Sequence, residues 1–211
     1  MILIQWISSG LSWFFDLIVT YSNSYGIAII LLTILIRLLL LPLTIKQTKS
    51  LAAMKEIQPQ LEEIQKKYKD NPQEMQARSM KLYQEYKVNP LGGCLPMLVQ
   101  LPILWAFIYV LRDLPESGAA QFLLWDLTVK DTTFILPILA MVTQYFNVKQ
   151  TSADASQNSM ALIMPIMIGV FSINLPSGLV LYWVVGNIFS AVQQAWIAKQ
   201  YPVSSQGGQN K

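Results

Sequence analysis

Polar residues interrupt the apolar background of this chain at two different spacings, and the spacings divide it into segments. Across residues 1–20, Gln5, Ser9, Ser12 and Asp16 recur at steps of four, three and four, leaving Trp6, Ile7, Trp13, Phe14 and Leu17 on the remaining surface. That spacing predicts a helix with one wet stripe. With the turn-like Tyr21-Ser22-Asn23-Ser24 behind it, the stripe favours a helix lying in a membrane interface over one that spans. Residues 25–43 form an almost unbroken apolar run, long enough at about 1.5 Å per residue to cross a hydrocarbon core of roughly 30 Å. A second span is predicted over 95–111, where Pro96 and Pro102 are tolerable among packed membrane helices. A third covers 132–146, a fourth 160–173 and a fifth 178–198, with Pro137 and Pro165 interrupting the third and fourth. Those two fall short of the usual length of about 20 residues. Either polar flanks such as Gln144, Asn147, Asn158, Ser159 and Asn174 are drawn to membrane depth with water, or the bundle is tilted, locally thinned and dry.

Residues 44–90 carry a different pattern. Leu51, Met54, Leu61, Ile64 and Tyr68 trace one heptad-like seam, and Met75, Leu82 and Tyr86 a second. Between them, Asp70-Asn71-Pro72-Gln73-Glu74 offers an Asn cap, a proline suited to the first helical position and a Glu placed to reach back to the cap. The pattern predicts a helical hairpin whose arms bury their seams together, with a kink or break near Gln58 caused by Pro59.

Charge gives the orientation. Of the 211 residues 53% are hydrophobic and 13% charged, against roughly 25% charged in a soluble domain, and nine of the fifteen Lys and Arg lie within residues 44–90. By the positive-inside rule the hairpin is cytoplasmic. Alternation of five spans then puts 1–20, the loop 112–131 and 174–177 outside, and the loop 147–159 and the tail 199–211 inside. Inside segments hold twelve basic residues and outside segments two; the fifteenth is Arg37, within the first span. The expected fold is therefore an all-α membrane protein with five transmembrane helices, an N-terminal interfacial amphipathic helix and a cytoplasmic helical hairpin.

Several chemistries are excluded. Histidine is absent, the single Cys94 has no disulfide partner and no ligand-spaced neighbours, and no Gly-rich phosphate loop precedes Lys-Ser or Lys-Thr. No cofactor, metal site or catalytic residue is expected, and the chain is not read as an enzyme. The basic residues are mixed with acidic ones and lack an aromatic stacking platform, so direct nucleic-acid readout is not expected either.

Arg37 is the residue that needs an explanation, because a charge within a span costs about 2.5–3.5 kcal/mol on insertion scales. It stands roughly two turns from the cytoplasmic end of the apolar run, so snorkelling to the headgroups is one account. Against that, Leu38, Leu39, Leu40 and Leu41 separate it from the interface and no acidic residue lies within any predicted span. Water and neutral polar groups then accommodate the charge. Candidates are Gln100 in the second span, Gln144 near the inner end of the third, and Asn187, Gln193 and Gln194 in the fifth. One amide in a span is as often helix glue as function, but together with Arg37 they suit a wet groove open to the cytoplasm, walled by Tyr182 and Trp183.

The run Asn89-Pro90-Leu91-Gly92-Gly93-Cys94-Leu95-Pro96-Met97, continuing to Gln100-Leu101-Pro102-Ile103, resembles the signature of YidC/Oxa insertases. So does Leu175-Pro176-Ser177-Gly178-Leu179-Val180-Leu181-Tyr182-Trp183 with Asn187 beyond it, and Ile36-Arg37 followed by Pro42 and Ile57-Gln58-Pro59 fits as well, so the resemblance extends over nearly the whole chain. It implies five core spans, a cytoplasmic hairpin and an inner-leaflet groove whose positive residue is Arg37. It also implies a bacterial plasma membrane, substrates among nascent membrane proteins with short translocated tails, and the ribosome and Sec translocon as partners. The final stretch, 201–211, has one basic residue, unlike the long basic tails of some relatives.

These features lead to one expectation: a non-enzymatic insertase with a substrate groove formed by Arg37, Gln100, Gln144, Tyr182, Trp183 and Asn187. A membrane-embedded chaperone without insertase activity is the alternative. An anion channel or secondary transporter fits less well, since a channel wants a ring of charge and proton coupling normally uses a titrating carboxylate or histidine at depth.

Overall fold

The computed structural model describes residues 2–86, 95–112, 120–151 and 158–200. Among them are eight helices: α1 (Ile2–Ser22), α2 (Tyr25–Leu39), α3 (Leu41–Lys67), α4 (Pro72–Glu85), α5 (Leu95–Arg112), α6 (Ile135–Thr151), α7 (Asn158–Ser172) and α8 (Ser177–Gln200). A two-stranded antiparallel ribbon, β1 (Gln121–Phe122) with β2 (Trp125–Asp126), lies between α5 and α6 and, with an isolated bridge between Lys130 and Pro176, departs from an all-α fold. Two-residue strands are too short to carry an alternating pattern, so the sequence showed no sign of them. The Asn89 to Cys94 run and the stretch 201–211 fall outside the described residues.

Helices α2, α5, α6, α7 and α8 occupy the five apolar stretches. By length and apolarity no single described helix is sufficient to cross a membrane, although α2 and α3 together meet that test as a bent pair. At about 1.5 Å per residue, the 15-residue α2 and α7 reach about 22 Å and the 17-residue α6 about 25 Å. The 24-residue α8 reaches about 36 Å.

The first apolar run is not one helix to residue 43. It stops at Leu39, turns by 62° at Leu40 and resumes as α3. Pro42 is the cause: it has no N–H to donate to the Leu38 carbonyl, and its ring would collide with that carbonyl in a continuous helix. In the first turn of a new helix the missing donor costs nothing. Pro59 lies inside α3, which continues through it without a break at Gln58.

α8 is packed against α2 and α6, and α6 also against α7, while α1 lies across α2 and α5. The main core is built from Ala28, Ile29, Leu32 and Ile36 of α2, Phe107 and Val110 of α5, and Leu179 to Tyr182 and Val184 of α8. From α1 it receives Phe15, 3% exposed, with Leu11, Phe14, Ile18 and Val19 around it. Asn23, in the left-handed region at φ 50°, ends α1 and donates its N–H to the Val19 carbonyl. The opposite faces of α6 and α7 are apolar and exposed, with Leu162, Ile163, Ile166, Met167, Val170 and Phe171 forming a continuous stripe along α7.

α3 and α4 form a separate hairpin around Ile57, Leu61 and Leu82, with Met54, Ile64, Tyr83 and Tyr86 packed on them. Ile57 was missing from the seam read in the sequence, yet it is fully buried. The Asn71 side chain accepts from the Glu74 N–H at 3.3 Å, with Pro72 in the first turn, as the cap pattern implied. The Glu74 carboxylate turns instead to Arg78, 3.1 Å away.

Candidate functional site: a charge against a glycine notch

Arg37 sits two residues before the end of α2, half-buried, with its side chain against α8. A Cβ at Gly186 would lie 2.9 Å from Arg37 Nη2, 3.5 Å from Nε and 3.6 Å from Cζ, so the guanidinium rests directly on the α8 backbone where a side chain is missing. One turn earlier on the same face is Tyr182, 3% exposed and close enough to Arg37 for the two to interact electrostatically. The Gln100 side-chain amide of α5 donates to the Tyr182 hydroxyl at 2.8 Å, and the Tyr182 ring stacks on Phe107 with centroids 4.1 Å apart. Among the described residues no carboxylate pairs with Arg37.

Further along this face of α8 follow Ser190 and Gln193, 8% and 6% exposed. The Gln193 Nε2 amide is buried without a hydrogen-bond partner. Charge, phenol, hydroxyl and free amide thus form a polar track down one side of α8. Such a track offers a row of hydrogen-bonding groups, and among the described residues no group of three or more acidic or Cys side chains is arranged to hold a metal.

The sequence profile of the 60Kd inner membrane protein family matches residues 17–205. A YidC membrane protein insertase of Clostridium perfringens is 50% identical over 185 residues, covering 82% of this chain and 78% of its own. One from Caldanaerobacter subterraneus is 48% identical over 175 residues, covering 82% and 85%. The chain belongs to the YidC insertase family. The fold agrees with a crystal structure of an active YidC insertase whose first transmembrane domain is resolved, at TM-score 0.74 and 36% identity. That match covers 93% of this chain and 46% of the solved one, so the chain spans about half of that longer YidC.

Seen within the YidC family fold, the six residues expected to share one groove fall into two groups. Arg37, Tyr182 and Gln100 come together between α2, α5 and α8. Asn187 instead joins a ladder between α6 and α8. Its Oδ1 accepts from Asn147 Nδ2 at 3.0 Å, its Nδ2 donates to Thr143 Oγ1 at 3.4 Å, and Gln194 Nε2 donates to Asn147 Oδ1 at 3.2 Å. Trp183, half-buried, is one turn before Asn187 on that side of α8, and Gln144, also half-buried, follows Thr143 on α6 but takes no part in the ladder. The division follows from helical geometry, since neighbours such as 182 and 183, or 186 and 187, point about 100° apart.

Sequence reasoning overlooked Gly186, Phe107 and Thr143. A glycine inside a long helix is a weak signal that something approaches closely, and it was the available clue to the notch. The motif Pro176-Ser177-Gly178 has a clearer structural reason. Ser177 N and Oγ both donate to the Val129 carbonyl, at 2.7 and 2.8 Å, and Gly178 N donates to that of Leu127 at 3.0 Å. The first free N–H groups of α8 are thereby satisfied by the β2–α6 loop, while the Phe122 ring of β1 covers Gly26 at the start of α2. This clasp joins the ends of α2, α6 and α8 opposite the hairpin.

Proposed function

We propose that this chain is a membrane protein insertase that lowers the barrier for a short polar tail to cross the bilayer, using a hydrated, positively charged groove open to the cytoplasm and to lipid. The observation that carries the proposal is Arg37, half-buried near the inner end of α2, resting on Gly186 and beside Tyr182, with no carboxylate partner among the described residues. Moving an apolar segment from water to lipid is downhill, but the polar tail that must cross first is desolvated on the way. A groove reaching part-way into the bilayer shortens the dry path, and a fixed positive charge favours acidic or polar tails. No covalent step is needed.

On this reading α2, α5, α6, α7 and α8 are the five spans and α1 is the interfacial helix on the outer side, while the α3–α4 hairpin is cytoplasmic. The twelve-to-two distribution of basic residues supports that orientation, in a bacterial plasma membrane like that of the 60Kd inner membrane proteins. The shortness of α6 and α7, at about 25 and 22 Å against a core of about 30 Å, favours a locally thinned bilayer beside the groove. Substrates are nascent membrane proteins with short translocated tails, delivered by the ribosome or shared with the Sec translocon.

The test is insertion into liposomes that contain only this protein, comparing wild type, Arg37→Lys and Arg37→Ala on paired substrates whose tails differ only in acidic residues. Arg37→Ala is expected to fold but insert poorly, most severely for acidic tails, while Arg37→Lys retains much of the activity because a point charge suffices for many unrelated tails. Equal insertion of both tails by wild type and Arg37→Ala would refute the electrostatic role.

A further inference from the structure

We infer that Gly186 is a positioning residue for Arg37: by leaving α8 without a side chain at that level, it keeps the charge inside the groove and sets its depth. The inference rests on the insertase reading above and extends it from Arg37 to the opposing helix. Three guanidinium atoms lie within 3.6 Å of the place a Cβ would occupy, the nearest at 2.9 Å. These atoms are the end of a flexible side chain, so adding a methyl group moves the arginine and not the helix. The neighbours on either side are less accommodating: Val185 packs against the main core and Asn187 is buried and held by the α6 ladder. A guanidinium pushed off the notch therefore moves away from α8 towards the end of α2, where Leu38 and Leu39 are exposed, and so out of the groove.

A structural role and a positioning role make opposite demands on this glycine. Alanine is a better helix former than glycine within a helix, so if Gly186 served only the helix, Gly186→Ala would be neutral or stabilising and would leave insertion unchanged. If it positions Arg37, Gly186→Ala preserves the fold but weakens the attraction for an acidic tail. Relieving the 2.9 Å approach to an ordinary contact of about 3.6 Å moves the charge by about 0.7 Å. For a carboxylate about 4 Å away in a medium of effective dielectric about 20, that displacement reduces binding about threefold. Neutral tails lose much less.

The experiment uses the full chain in liposomes with the paired acidic and neutral tails. Gly186→Ala should lower insertion of the acidic tail about threefold, with thermal stability in detergent equal to or above wild type. On an Arg37→Lys background the same substitution should have no effect, because lysine has no second fork nitrogen to meet the methyl group. A second readout is independent of activity: the rate at which phenylglyoxal, an arginine-selective reagent, modifies Arg37, referenced by peptide mass to Arg78. Gly186→Ala should raise that rate. If Arg37→Ala impairs insertion but Gly186→Ala matches wild type in both insertion and modification rate, the inference fails and the electrostatic reading survives. If Arg37→Ala has no effect on either tail, the electrostatic reading fails, and an unchanged phenylglyoxal rate would overturn the positioning of Arg37 as well.

Discussion

Asp131 is the point at which the clasp beside α6 can be broken with one substitution. It is 4% exposed, and its two oxygens serve the start of α6: Oδ1 accepts from the Thr133 amide at 2.7 Å and from the Thr133 hydroxyl, and Oδ2 accepts from the Leu136 amide at 2.8 Å. Asp131→Ala removes a helix cap, a loss of about 0.5–2 kcal/mol, and leaves a buried N–H unpaired, which costs about 1–3 kcal/mol. The two estimates overlap in part, so we expect a destabilisation of about 2–3 kcal/mol at neutral pH, or a fall in melting temperature of roughly 5–10 °C. Burial alone would raise the carboxyl's pKa, but hydrogen bonds from Thr133, Leu136 and Trp125 outweigh it and hold the group below its ordinary value. A folded pKa below the unfolded one means that the stabilisation is complete above the unfolded value of about 3.9 and disappears as pH falls through the folded value. Melting followed by circular dichroism in mild detergent should therefore show the wild type and Asp131→Ala far apart at pH 7 and converging below about pH 4. Identical melting at pH 7, or a gap that persists undiminished at the lowest pH, would refute the capping argument.

Two other perturbations separate the parts of the molecule. Ile57→Ala empties the fully buried centre of the hairpin, a change that typically costs 2–5 kcal/mol in a packed core; limited proteolysis should then cut within 41–86 while the melting of the spans stays close to wild type. Loss of detergent-stable protein would make the hairpin part of the bundle's own stability. Asn187→Ala removes two rungs of the α6–α8 ladder and should cost about 1–2 kcal/mol, the upper range for hydrogen bonds between membrane helices. Its insertion defect should be smaller than that of Arg37→Ala and the same for acidic and neutral tails; a defect confined to acidic tails would return Asn187 to the groove.

What could be read from the sequence was whatever depends on local period and on charge. Apolar runs located α2, α5, α6, α7 and α8, and the Asn71-Pro72 cap located the start of α4, because each is decided by residues a few positions apart. Arg37 could be singled out because an unpaired charge in an apolar run is costly wherever it folds. The break at Leu40 was missed although its cause, Pro42, was in view: the same proline is compatible with a kink inside one span or with a new helix, and the outcome depends on where α3 packs. Partners of the amides were not legible at all. Gln100 and Asn187 look alike in sequence, yet one bonds Tyr182 across α5 and α8 and the other bonds Thr143 and Asn147 across α6 and α8. Which amide lines a groove and which is glue is decided by rotation about a helix axis, and a residue count gives that rotation only when the neighbouring helices are known.

The bend at Leu40 also changes the energetic argument for Arg37. Had the first apolar run continued as one helix to residue 43, four leucines would have held the guanidinium away from the interface, and the cost of a charge at depth would have been the main fact about it. With α2 ending at Leu39, the charge stands less than one turn from the point where the chain turns aside, and Leu38 and Leu39 are themselves exposed, at 51% and 70%. Its burial comes from α8, not from the length of its own helix. On the proposed reading, a charge this close to the end of a short span costs less than one at mid-depth, and a tail drawn towards it has already left the bulk cytoplasm. The hairpin arm starts at this same bend, and Lys55 of that arm donates to the Gln150 carbonyl in the last turn of α6, 2.8 Å away. A lysine at a helix C-terminus is a favourable but exposed contact, worth about 0.3–1 kcal/mol, weak enough to exchange.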